Sequence, residues 1–112
     1  MRYALFVYDT SGSLDSLTSE ERQGVYDEYV AVSEIPGVVG HRLQPPDTAT
    51  TLRIDNGEHV VASGAPEPSK RHLAGFYLLD ADDREQALAV AARIPAARLG
   101  GAIQVQPLVS EQ

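Results

Sequence analysis

The sequence predicts an α+β domain of the ferredoxin-like plan, ordered β-α-β, a hairpin, then β-α-β. Three observations carry this. Two apolar runs rich in β-formers, Arg2–Tyr8 and Ala74–Leu79, read as central strands. Two amphipathic stretches with clear start signals read as helices. An Asn-Gly pair, Asn56-Gly57, sits between β-rich runs and marks a tight hairpin.

The elements follow in order. Arg2-Tyr3-Ala4-Leu5-Phe6-Val7-Tyr8 is nearly continuous in apolar character, as a covered strand requires. Asp9–Ser13 reads as a loop. Thr18 and Glu21 form a capping-box pattern, so a helix starts there. It carries Val25, Tyr26, Tyr29, Val30 and Val32 on one side, with Glu20, Glu21, Arg22, Asp27 and Glu28 mainly on the other. Pro36-Gly37 stops it. A second strand, Val38–Leu43, runs into Pro45-Pro46. Thr50–Ile54 and His59–Ala62 flank Asp55-Asn56-Gly57 as the hairpin. After the strand Ala74–Leu79, Asp82 or Asp83 caps a helix over Arg84–Ile94, which packs through Ala87, Leu88, Ala91 and Ile94 and stops at Pro95. Ile103–Val109 is the last strand, and residues 110–112 are expected to fray.

The 112 residues suit one domain with one core. There is no cysteine, which removes disulfides and thiolate chemistry and fits a cytoplasmic protein. The apolar run Tyr3–Tyr8 is too short for a signal or a membrane span. The net charge of −7 disfavours nucleic acid and anionic membranes as partners. Both faces of the central strands are apolar, because Tyr3, Leu5, Val7, Tyr77 and Leu79 alternate with Ala4, Phe6, Tyr8, Phe76 and Leu78. Two helices cover one face. A second copy packed sheet to sheet is the economical cover for the other, so the expected partner is the chain itself.

Candidate site residues cluster around the stretch Ser63–Leu79. Pro66 and Pro68 hold Ala65 and Glu67 extended and stiffen the loop. Lys70, the only lysine, either binds an anion or is solvated. His72 stands either on the loop surface or at a pocket rim, and His41 is either a surface strand residue or points into a cleft. Ser63 has no nucleophile-elbow context. Tyr8 ends the first strand. Lys70, His72, Ser63, Tyr8 and His41 are therefore the expected lining of a small-molecule site, with Arg53 as a further candidate. The histidines have no metal-ligand spacing, so neither a metal nor a cofactor is expected.

This stretch also resembles the signature loop of the YCII-related proteins, in the subgroup named for an Asp-Gly-Pro-Phe motif. Ser63 stands where that motif has Asp, Gly64 matches, and Ala65-Pro66 replace Pro-Phe; Lys70, Leu73, Gly75, Phe76 and Tyr77 match. Met1-Arg2-Tyr3, Gly40–Pro46 with Thr48–Arg53, and Arg93–Ala97 extend the resemblance over nearly the whole chain. It implies a dimeric α+β barrel. In YCII proteins it also implies a His–Asp pair for acid–base work. Here those positions read Val25-Tyr26 and Ser63, and the late charged strand reads Gln104-Val105-Gln106-Pro107. The expectation is thus a homodimer that binds a small organic ligand. The alternatives are an isomerase, lyase or dehalogenase-like enzyme with a histidine base, and an accessory protein, transcription-associated as some relatives are, acting through protein contacts.

Overall fold

The computed structural model describes residues 1–67 and 69–110. Its order is β1 (Arg2–Thr10), α1 (Ser19–Ser33), β2 (Val38–Arg42), β3 (Thr50–Asp55), β4 (Glu58–Ser63), β5 (Arg71–Asp80), α2 (Arg84–Ala91) and β6 (Ala102–Pro107), with 3-10 turns at Pro46–Thr48 and Pro95–Ala97. Four strands make one sheet in the order β2-β5-β1-β6, and every neighbouring pair is antiparallel. This is the expected ferredoxin-like arrangement, with β3 and β4 inserted as a separate two-stranded sheet.

The core lies between the helices and one face of this sheet. Tyr3, Leu5 and Val7 of β1 and Tyr77 and Leu79 of β5 are buried there with Val32, Ala87, Ala91 and Ile94. The alternation of β1 and β5 sends Phe6, Tyr8, Phe76 and Leu78 to the opposite face, where they are half-buried. Gly40 is required by packing. A Cβ there would collide with the Tyr77 ring across the β2–β5 pair.

Both helix starts form as the side chains dictate. The Glu21 N–H donates to Thr18 Oγ1 at 3.1 Å, and the Thr18 N–H donates to Glu21 Oε1 at 2.8 Å. Of the two aspartates before α2, Asp83 is the cap, accepting the Gln86 N–H at 2.9 Å. Gln86 Oε1 in turn accepts the Asp82 N–H. The helix is shorter than the expected Arg84–Ile94, because Pro95 drives Ile94 into an extended conformation and the chain unwinds ahead of it. Ile94 is still fully buried. Val30 and Leu88 are exposed, since the helix faces that meet the sheet are narrower than the apolar stripes.

Asn56 and Gly57 adopt φ of 50° and 80°, the left-handed pair that a two-residue hairpin turn needs. The hairpin itself stands away from the body. The radius of gyration is 16.0 Å, against about 13 Å for a compact chain of this length. Leu52, Ile54 and Val61 are 56%, 66% and 65% exposed.

The largest difference from the sequence expectation is at β5, which begins at Arg71 rather than near Ala74. Its pairing with β1 breaks register once. Val7 opposes Gly75 but Tyr8 opposes Leu73, so Ala74 is an extra residue, a β-bulge. His72 is therefore a strand residue. Pro68, expected to stiffen the preceding loop, lies outside the described residues, as do residues 111 and 112 of the segment expected to fray.

Candidate functional site

Two concavities open at the end of the sheet where β1 finishes and β5 begins. The first is a cleft of about 400 Å³ between α1 and the helix-side face of the sheet. Val7, Gly75 and Ala74 form part of its floor, Tyr26 and Tyr29 of α1 one wall, and Asp9, Arg42, His72 and Tyr77 the sheet side. Its volume falls in the range of small-molecule sites. The second is a groove of about 1410 Å³ between the base of the hairpin and the other face, lined by Tyr8, Leu52, Ser63, Leu73 and Gln104 among others.

The cleft chemistry follows from strand alternation and the bulge. The shifted register places His72 opposite Asp9, one step beyond the Tyr8–Leu73 pair. A straight β5 would have turned His72 to the open face. The two side chains make no hydrogen bond to each other. Asp9 Oδ1 accepts the Thr10 N–H at 2.8 Å instead. On β2, Arg42 opposes Gly75 and its guanidinium carbon lies 5.7 Å from the centroid of the Tyr26 ring. Such stacking holds a guanidinium by its face and leaves its N–H edge available.

The phenols of this cleft are donors. Burial, reinforced by the nearby negative Asp9, pushes the Tyr29 hydroxyl up to about 12. Burial likewise raises Tyr77, and the positive Arg42 works against that rise. Both hydroxyls therefore keep their protons at neutral pH. Beside the cleft, Arg98 makes a two-pronged ion pair with Glu28, at 2.8 and 2.6 Å, tying the turn after Pro95 to α1. Among the described residues, no group of three or more histidines or carboxylates is placed to hold a metal ion.

The residues expected from sequence are divided between these places. His72 borders both cavities, and His41 borders the cleft while its ring lies 5.8 Å from that of Phe76. Tyr8 and Ser63 line the groove. Lys70 is exposed in the segment before β5 and lines neither cavity. Arg53 donates to the Pro66 carbonyl at 3.2 Å, bracing the hairpin base. Sequence reasoning missed Asp9, Tyr26, Tyr29 and Arg42 as site residues. Arg42 was the most accessible of these, since it alternates with Gly40 and Val38 on the buried side of β2. Asp9 shares the face of Val7 by alternation once β1 runs on to Thr10, and only its place opposite His72 needed the bulge, which no local signal marks.

The fold and cleft define a small ferredoxin-like α+β protein with a pocket between its sheet and first helix. The YCII-related domain matches residues 1–110, and the chain belongs to that family. It is similar to an uncharacterized protein of Rhizobium meliloti, R00369, with 31% identity over 116 residues that cover 96% of this chain and 92% of the relative. No helix among the described residues is long and apolar enough to cross a membrane.

Proposed function

We propose that this YCII-related protein is a homodimer that binds a small organic ligand in the cleft between α1 and the sheet. The observation that carries the ligand reading is the convergence of Asp9, Tyr29, Arg42 and His72 on one concavity of about 400 Å³. An NMR fragment screen tests it. Resonances of these four residues are expected to shift with bound fragments; shifts confined to other parts of the chain would place the site elsewhere.

The dimer reading rests on two surfaces. The open face presents Phe6, Tyr8, Val39, Phe76 and Leu78 with the neutral Gln104 and Gln106, which bond to each other at 2.9 Å. Arg2 and Asp80 pair at 3.8 Å at one end of it, and Arg71 at the other end donates to the Gly100 carbonyl. A chain of net charge −7 thus keeps excess negative charge off the strands of this face, which removes the repulsion a second copy would meet and offers little to a basic partner. The hairpin supplies the other surface, because a lone two-stranded hairpin is marginal in water and its apolar row requires cover. Light scattering at micromolar concentration should give twice 12.1 kDa; a monomeric mass would refute the dimer.

A second reading, acid–base catalysis, is favoured by the Asp9–His72 juxtaposition. A carboxylate opposite an imidazole can orient it and stabilise its charged form. Because the two are not hydrogen-bonded, binding stands as the leading reading. Turnover of any cleft ligand that is lost in both Asp9→Asn and His72→Gln would support catalysis, and turnover that survives both would rule out this pair.

A further inference from the structure

We propose that the cleft selects a small organic monocarboxylate, with its carboxylate on the Arg42 guanidinium and its body toward Tyr29 and Tyr77. This rests on the reading of the cleft as a ligand site and names the ligand class.

The other arginines show what makes Arg42 different. Arg2, Arg84 and Arg98 each meet a carboxylate. Arg22, Arg53 and Arg71 donate to backbone carbonyls. Arg93 also meets no carboxylate among the described residues, but it lines neither cavity. Among the described residues, the Arg42 guanidinium meets no carboxylate, although the chain carries 16 acidic residues. It is instead held on the Tyr26 ring at the cleft. The planar fork of a guanidinium matches a carboxylate bidentately, and stacking fixes its plane beforehand.

The remaining lining fits one carboxylate and not two. The Tyr29 and Tyr77 hydroxyls stay protonated and offer O–H donors. Asp9 lies on β1, separated from Arg42 on β2 by the intervening strand β5. Two strand spacings across the sheet and two residues along it make that separation about 12 Å. An anionic group at the Asp9 end would be repelled, whereas a hydroxyl or amine there would find an acceptor. A cleft with one cation at one end and one carboxylate at the other therefore discriminates by charge along its length.

The test uses matched acid and amide pairs, led by benzoate and benzamide, titrated into the full-length protein at neutral pH and followed by NMR. Benzoate is expected to shift Tyr26, Tyr29, Arg42 and His72 resonances and to bind at least tenfold more tightly than benzamide. Arg42→Gln should erase that preference, and Arg42→Lys should retain part of it. Arg42 is exposed, and unchanged spectra elsewhere would verify folding of each variant. Equal binding of acid and amide, or a preference that persists in Arg42→Gln, overturns the carboxylate assignment. If neutral fragments occupy the cleft and acids do not, this inference fails while the ligand site stands. If no fragment of either kind perturbs the cleft, both fail.

Discussion

Asp9 and His72 stand opposite each other on β1 and β5, one step beyond the bulge that skips Ala74. The bulge is what brings them to the same side. Strand side chains alternate with a period of two, so a single extra residue exchanges the faces of everything beyond it. Deleting Ala74 should straighten β5 yet leave His72 on the helix side, because Gly75, Leu73 and His72 then alternate without a break and keep Tyr8 opposite Leu73 and Asp9 opposite His72. Through-space NMR contacts between His72 and the Asp9 region should therefore persist in the deletion variant. Loss of those contacts would mean that Ala74 is not the spare residue of this register.

Gly40 and Tyr77 make a second prediction. The Tyr77 ring occupies the space a Cβ at residue 40 would take. Gly40→Ala must displace the ring or the strand, at a cost of about 1–3 kcal/mol for overpacking. Urea denaturation should show a lower midpoint with an unchanged slope. Replacing Tyr77 by Leu in the same chain should recover part of the loss. An unchanged midpoint for Gly40→Ala would mean that the ring moves freely.

The hairpin can be tested without disturbing the core, because Leu52 and Val61 are exposed in the single chain and pair across β3 and β4. Leu52→Asp with Val61→Asp should convert the proposed dimer to monomer and leave the far-ultraviolet circular dichroism of the body largely intact. A dimer that persists in this variant would mean that the open sheet face suffices and the arm plays no part in association.

The capping box of α1 gives a pH dependence. The Thr18 N–H, then the Thr18 hydroxyl, hold the Glu21 carboxyl below its ordinary value of 4.5. A carboxyl whose folded value is depressed stabilises the fold above its unfolded value and loses that contribution as pH falls through the folded one. Glu21→Gln should therefore reduce the melting temperature at pH 7, and the difference from the parent chain should shrink as pH drops below about 4.5. A difference constant from pH 7 to pH 3 would show that the ionised carboxylate contributes nothing.

The local instructions in this sequence were easy to read because they act over a few residues. The Thr18–Glu21 box starts α1, the Asn56-Gly57 pair closes the hairpin, and Pro95 ends the second helical segment, each within one turn of chain. The apolar strands Arg2–Tyr8 and Ala74–Leu79 were placed for the same reason, since β-formers in a continuous run need burial and little else. The site was only partly legible. His72 and His41 stand out as polar residues near a central strand; both border the cleft, but the His41 ring lies beside Phe76 on the open face. Lys70 stands out in the sequence by loop position and lines neither concavity, although Ser69 and Arg71 on either side of it line the groove.

The sequence by itself determined the element order, the two caps, the hairpin turn and the presence of an apolar sheet with two faces to cover. Tertiary structure alone decided which polar groups share a cavity. The register break at Ala74 turns His72 toward Asp9, and the β2–β5 pairing sets Arg42 beside Gly75 and above Tyr26. These relations join residues 16 to 63 positions apart in strands and a helix that meet only when the sheet assembles. No periodicity in a short window encodes them, because cross-strand register is set by the sum of packing on both faces rather than by the residues that end up opposite each other.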